Sequence, residues 1–204
     1  MRLLKKSIAS IILVMTLLSV TVIGASAATH TVKSGDTLWR LAVTYKVGLS
    51  EIKAANPNIK NYDLIYPGQS ISIPDTDTAA TAYEAEVVRL VNVEREKRGL
   101  SPLRENWELS RVARYKSDDM RSRKYFSHTS PTYGTPFDMI KSFGITYRTA
   151  GENIARGYST PAAVVNGWMN SQGHRANILN ASYTEIGVGY VADGNYWTQM
   201  FISK

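Results

Sequence analysis

Residues 167–180 read GWMNSQGHRANILN, and the second half of the chain is best read outward from them. An apolar helical segment with Trp168 and Met169 runs up to Gly173, and a histidine, an arginine and two asparagines follow beside Ile178 and Leu179. Upstream, Thr160-Pro161 supplies a cap and a first-turn proline for the helix. Polar chemistry concentrated at a helix end, next to large apolar side chains, marks a candidate site, and His174 is its most versatile member.

Downstream, IGVGYVADGNYWTQMFISK alternates, with Asp193-Gly194 as the turn between two strands. Further upstream, a helix carrying Val87, Leu90, Val91 and Val93 ends at Gly99, and a second presents Leu109, Val112, Ala113, Lys116 and Met120 on one face. Asp118 and Asp119 are expected on its solvated side. YFSHTSP, a short helix over 135–143 and AGENIARGY complete the region. Helices leading into an antiparallel sheet, with another helix between, predict an α+β domain over 84–204, large enough for its own core.

Ahead of it, residues 75–83 are small and polar and form the expected linker, which spans at most ~30 to 35 Å and leaves two modules tethered rather than fused. Residues 29–74 alternate as strand, helix, helix, strand: strands over 30–33 and 70–73, helices over 38–45 and 50–56. Asp36 or Thr37 caps the first helix and Ser50 the second. Most of Leu38, Trp39, Leu41, Ile52, Leu64 and Ile71 are expected to fill the small core.

The chain opens with Arg2, Lys5 and Lys6, an apolar run from Ile8 to Ile23 and Ala25-Ser26-Ala27, the pattern of a secretory signal peptide over 1–27. Removing its three cations lowers the net charge from +7 to +4. No block of basic residues points to nucleic acid, and no second apolar run points to a membrane once the signal is cleaved. The absence of cysteine excludes disulfide staples, thiolate metal sites and a cysteine nucleophile.

VKSGDTLWRLA, the central Asn-Pro and YPGQSISIP make the first module resemble the LysM family along its whole length. The resemblance implies binding of peptidoglycan or another N-acetylglucosamine polymer in a shallow groove. Gly35, Asp36, Thr37 and Leu38 would line one side, with Asn56, Leu64, Ile65 and Tyr66 on the other. LVNVEREKRGLSPL, FSH, GEN, GWMNSQGHRANILN and YTEIGVGY followed by YWTQMF, in this order, make the second domain similar to the bacterial branch of the CAP superfamily. That resemblance implies a three-layer α-β-α sandwich with a central cleft, where relatives often place two histidines and two glutamates.

His128 of FSH and Glu152 of GEN match two of those four positions. Ser171 stands where the second glutamate would be, and Asn195-Tyr196 stand where the second histidine would precede an aromatic-Thr-Gln. His174 is the remaining imidazole. His128, Glu152 and His174 are therefore the candidate catalytic set, and they equal in number the protein ligands of a catalytic zinc. No HExxH spacing ties any two of them to one helix face. Metal-free acid–base chemistry between Glu152 and an imidazole is the other option. Ser127 and Ser171 are poor nucleophile candidates, since no G-x-S-x-G elbow is present.

The sequence thus predicts a secreted, cell-wall-associated protein whose first module binds wall glycan and whose second presents a cleft to a ligand or protein partner. Two alternatives stay open: a wall-targeted peptidase or muropeptide hydrolase using the His/Glu cleft, and a non-catalytic interaction module of the envelope or a spore layer.

Overall fold

The computed structural model describes residues 28–74 and 78–204; the expected signal peptide and residues 75–77 of the expected linker lie outside them. In the first module, β1 (Ala28–Thr31) pairs antiparallel with β2 (Ser70–Ile73), and α1 (Leu38–Tyr45) and α2 (Leu49–Ala55) lie between them in sequence. Thr37 caps α1 by accepting from the Arg40 amide. The second cap differs from expectation: Gly48, in extended geometry, precedes α2, and Ser50 sits inside the helix. Leu38, Leu41, Ile52 and Ile71 fill the core as predicted, whereas Trp39 and Leu64 are exposed.

In the second domain, α3 (Thr78–Glu96) begins within the expected linker, so residues 78–83 are helix. A four-stranded sheet follows, built from β3 (Arg104–Glu105), β4 (Thr149–Arg156), β5 (Glu185–Val191) and β6 (Tyr196–Ser203) in the spatial order β3-β5-β6-β4. The β5–β6 hairpin was legible in the alternation; β4 and the two-residue β3 were not. Strand alternation divides the hydrophobic side chains between two layers. Ile186, Val188, Trp197 and Phe201 pack with Val87 and Val91 of α3, Trp168 of α6 (Pro161–Asn170) and Ile178 of α7 (Gln172–Ile178). Met200 and Ile202 pack on the other face with Leu109, Val112 and Ala113 of α4 (Trp107–Ser122) and Met139 and Ile140 of α5 (Pro136–Ser142). The result is the α-β-α sandwich.

Buried Arg95 donates to the carbonyls of Ser101, Ile178 and Asn180, tying α3 to the end of α7. Among the described residues, no helix is long and apolar enough to cross a membrane.

Candidate functional site

Two regions hold the candidate residues. The first is a groove of about 570 Å³ on the first module, walled by Asp36, Thr37, Leu38 and Trp39 on one side and by Tyr62, Asp63, Leu64 and Ile65 on the other, with Leu49 and Lys53 of α2 between. Asp36 is fixed by its neighbours: its carboxylate accepts from the Lys33 amide and from His30 Nε2, each at 2.8 Å. Those two bonds hold the Asp36 carboxyl below its ordinary range. His30 also bonds the Tyr45 hydroxyl, so the ring ties β1 and α1 to the groove loop.

Not every predicted groove residue lies there. Asn56 is buried, and its amide is fully used, donating to the carbonyls of Ile52 and Ser72 and accepting from the Ser72 amide. Gly35 shapes the preceding turn with φ +87°. Tyr66 borders a neighbouring groove that shares Leu64. Trp39, by contrast, is 63% exposed on the groove wall. Its place beside Leu38 in an apolar helix start reads as core, and only the rotation of α1 turns it outward.

The second region lies at β4, the edge strand beside β6. Successive side chains of β4 point to opposite faces of the sheet. Glu152 projects toward α4, where its Oε1 meets His128 Nδ1 at 2.6 Å. Asn153 projects toward α7, where its amide donates to the His174 carbonyl and to Gln199 Oε1 and accepts from Asn177. Asn177 is a bridge between segments, and Arg175 donates to the Met169 carbonyl at the end of α6, both structural roles.

The stretch first read as one site therefore has a different anatomy. The break in the helix falls at Ser171, which is extended, and Gly173 lies inside α7 rather than ending α6. His174 lines a groove of about 290 Å³ with Phe126, Tyr158 and Ser171. Burial, and secondarily the charge that His128 can carry, lower the His174 pKa and favour its neutral form.

The loop bearing His128 is held by two residues of α4, Lys116 from the face predicted to be apolar and Asp119 from the face predicted to be solvated. Lys116 is buried on α4, and its ammonium donates to the His128 carbonyl at 2.7 Å. Burial lowers its pKa, against the attraction of Glu152 and Asp119. Asp119, expected on a solvated face, is instead buried. It accepts from the hydroxyls of Tyr125, Ser130 and Thr132 at 2.6 to 2.7 Å and pairs with Arg123 at 3.0 Å. The signal was present in the hydroxyl-rich run that follows the helix. Asp118 does face solvent, paired with Arg121.

Among the described residues, no three His, Cys, Asp or Glu side chains are grouped to hold a metal ion. Glu152 meets His128, His174 lines a groove without either of them, and Ser171 and Asn195-Tyr196 at the other two family positions offer no carboxylate or imidazole, so the residues present do not fit a three-ligand zinc site. What remains is a His–Glu pair with a half-exposed imidazole and a buried carboxylate. Glu152 Oε2 and Gln199 Nε2 are the buried side-chain polar atoms without a hydrogen-bond partner among the described residues. Such a pair fixes the imidazole tautomer and leaves Nε2 to bind or exchange a proton with a ligand.

The model of the cysteine-rich secretory protein family, CAP, matches residues 88–202, and the LysM domain model matches residues 30–74. The uncharacterized protein YkwD of Bacillus subtilis is 61% identical over 127 residues, covering 62% of this chain and 49% of that protein. A probable endopeptidase p60 of Listeria monocytogenes is 44% identical over 66 residues, covering 32% of this chain and 13% of its own length. A crystal structure of an extracellular protein containing a SCP domain from Bacillus anthracis has TM-score 0.60 and 36% identity, covering 68% of this chain and 47% of that one. The chain thus spans about half of YkwD and less of p60. With its sandwich, its FSH and GEN residues paired at the sheet edge and the family match over 88–202, the chain belongs to the cysteine-rich secretory protein family, as a CAP domain preceded by a LysM domain.

Proposed function

We propose that this is a secreted, wall-associated protein in which the LysM groove holds peptidoglycan or another N-acetylglucosamine polymer while the CAP domain offers its His128–Glu152 cleft to a ligand or protein partner. The observation that carries this reading is the groove itself: an exposed indole and the apolar Leu64 supply surface for a sugar face, and Asp36, Lys53 and Asp63 supply polar groups for its substituents. Membership of LysM and CAP families and similarity to an extracellular SCP-domain protein support the location. Covering most of an indole on binding contributes about 1.5 kcal/mol, so Trp39→Ala is expected to weaken binding to purified peptidoglycan about tenfold in co-sedimentation, with the melting temperature unchanged. Equal sedimentation of the two proteins, or none by the parent, refutes the groove reading.

Hydrolysis is the second reading, and the buried unpartnered Glu152 Oε2 beside an exposed imidazole favours it. If the pair performs general acid–base work, Glu152→Gln should abolish turnover of muropeptide or wall-peptide substrates at least a hundredfold while the fold persists. A parent protein inert on those substrates leaves the cleft a binding site.

A further inference from the structure

We propose that Glu51 of the LysM domain and Arg111 and Tyr115 of the CAP domain form a clasp that docks the two domains as one body, replacing the free tether that the small, polar linker implies. Glu51 Oε1 accepts from Arg111 Nε at 2.8 Å and from the Tyr115 hydroxyl at 2.6 Å, and Arg111 Nη2 reaches Ser50 Oγ at 3.1 Å. These are charge-assisted bonds between partly buried groups. Arg111 is also held from the CAP side, with its guanidinium over the rings of Tyr115 and Phe143. The acceptor is thus met by a donor already fixed in place, which reduces the side-chain entropy lost on docking.

The polar clasp, rather than apolar packing, carries the junction. Beside it an open cavity of about 420 Å³ lies between the domains, with Val47 and Pro74 on one wall and Tyr190, Val191 and Ala192 on the other. Apolar surfaces that face across such a gap lose most of their mutual attraction. The same helix serves both ends of the proposal: Leu49 and Lys53 of α2 line the glycan groove, and Ser50 and Glu51 face the CAP domain. A closed clasp therefore fixes how a bound glycan chain lies relative to the CAP domain.

Gly48 gives the most selective test. Its backbone, at φ −72° and ψ 147°, suits alanine. An added Cβ would fall 1.7 Å from Glu51 Oε2 and 2.2 Å from Arg111 Nε, so it displaces the clasp side chains and little else. Nitrogen-15 relaxation on the chain freed of residues 1–27 should give one rotational correlation time for both domains. In Gly48→Ala and in Arg111→Met, the LysM amides should acquire a shorter time than the CAP amides, with the core resonances of each domain in place. Two correlation times in the parent, or a single one in both variants, overturn the clasp. Should Gly48→Ala unfold the LysM domain, Arg111→Met, placed on the other domain, carries the test.

Discussion

Replacing Asp119 by alanine is expected to lower the unfolding free energy of the CAP domain by about 3 kcal/mol. Three hydroxyls, those of Tyr125, Ser130 and Thr132, donate to this one buried carboxylate. Hydrogen bonds to a charged group contribute ~1.5 to 3 kcal/mol each, but they act as a unit, and hydroxyls at a loop can turn partly to water. The pairing with Arg123, a half-exposed side chain, adds little. The loss should appear as a lower urea midpoint with an unchanged slope. It should also depend on pH in a defined sense. Burial pushes the Asp119 carboxyl up, but the bonds from Thr132, Tyr125 and Ser130 and the charge of Arg123 together hold it below its ordinary value. A depressed carboxyl contributes stability above its unfolded pKa, about 3.9, and loses it as pH falls through the folded value. The difference between parent and variant should therefore be greatest near pH 7 and should shrink as pH falls below about 4. A constant difference down to pH 3 would show that lost packing, not the carboxylate, sets the effect.

Asp119 also shows where sequence reading reaches its limit. Elements whose signals are local were legible: Thr37 and Thr160 cap the helices that their positions imply, and the β5–β6 hairpin follows its alternation. Strand β4 was not, because it is buried on both faces and carries Glu152 and Asn153 where an alternating strand would show one apolar face. For the site, the resemblance supplied His128 and Glu152, and the structure pairs them. It could not say that His174 lines a groove without either of them, since that depends on which way β4 presents consecutive residues. Nor could helix periodicity tell Asp118 from Asp119. The two differ by 100° around α4, and only the return of residues 125–132 over the helix makes one of them buried. Trp39 errs in the opposite direction: an indole in an apolar helix start was expected in the core, and it stands on the groove wall.

The second large effect is expected at Gly189, where α4 crosses β5. A Cβ there would lie 2.1 Å from the Ala113 carbonyl carbon and from the Arg114 nitrogen, and one at Gly187 would lie 2.3 Å from the Leu109 carbonyl carbon. These are helix backbone atoms, which no side-chain rotation can remove, so in Gly189→Ala the helix must retreat by about 1 Å or more. Ser117, whose hydroxyl donates to the Gly189 carbonyl and accepts from the Thr198 hydroxyl, would be drawn off its partners. Overpacking together with broken buried hydrogen bonds should cost about 3 to 4 kcal/mol, a fall of roughly 10 °C in melting temperature for a chain of this size. The functional consequence distinguishes this variant from an ordinary core lesion. Helix α4 carries Lys116 and Asp119, which hold the His128 loop, and Arg111 and Tyr115, which meet Glu51 of the LysM domain. A retreat of α4 should therefore disturb the His128 resonances and the interdomain contact together. Gly173→Ala, with nothing within 4 Å of the added Cβ and the same chemical change, should disturb neither. If Gly189→Ala melts with the parent, or shifts one of the two regions without the other, α4 is not the rigid element that joins them.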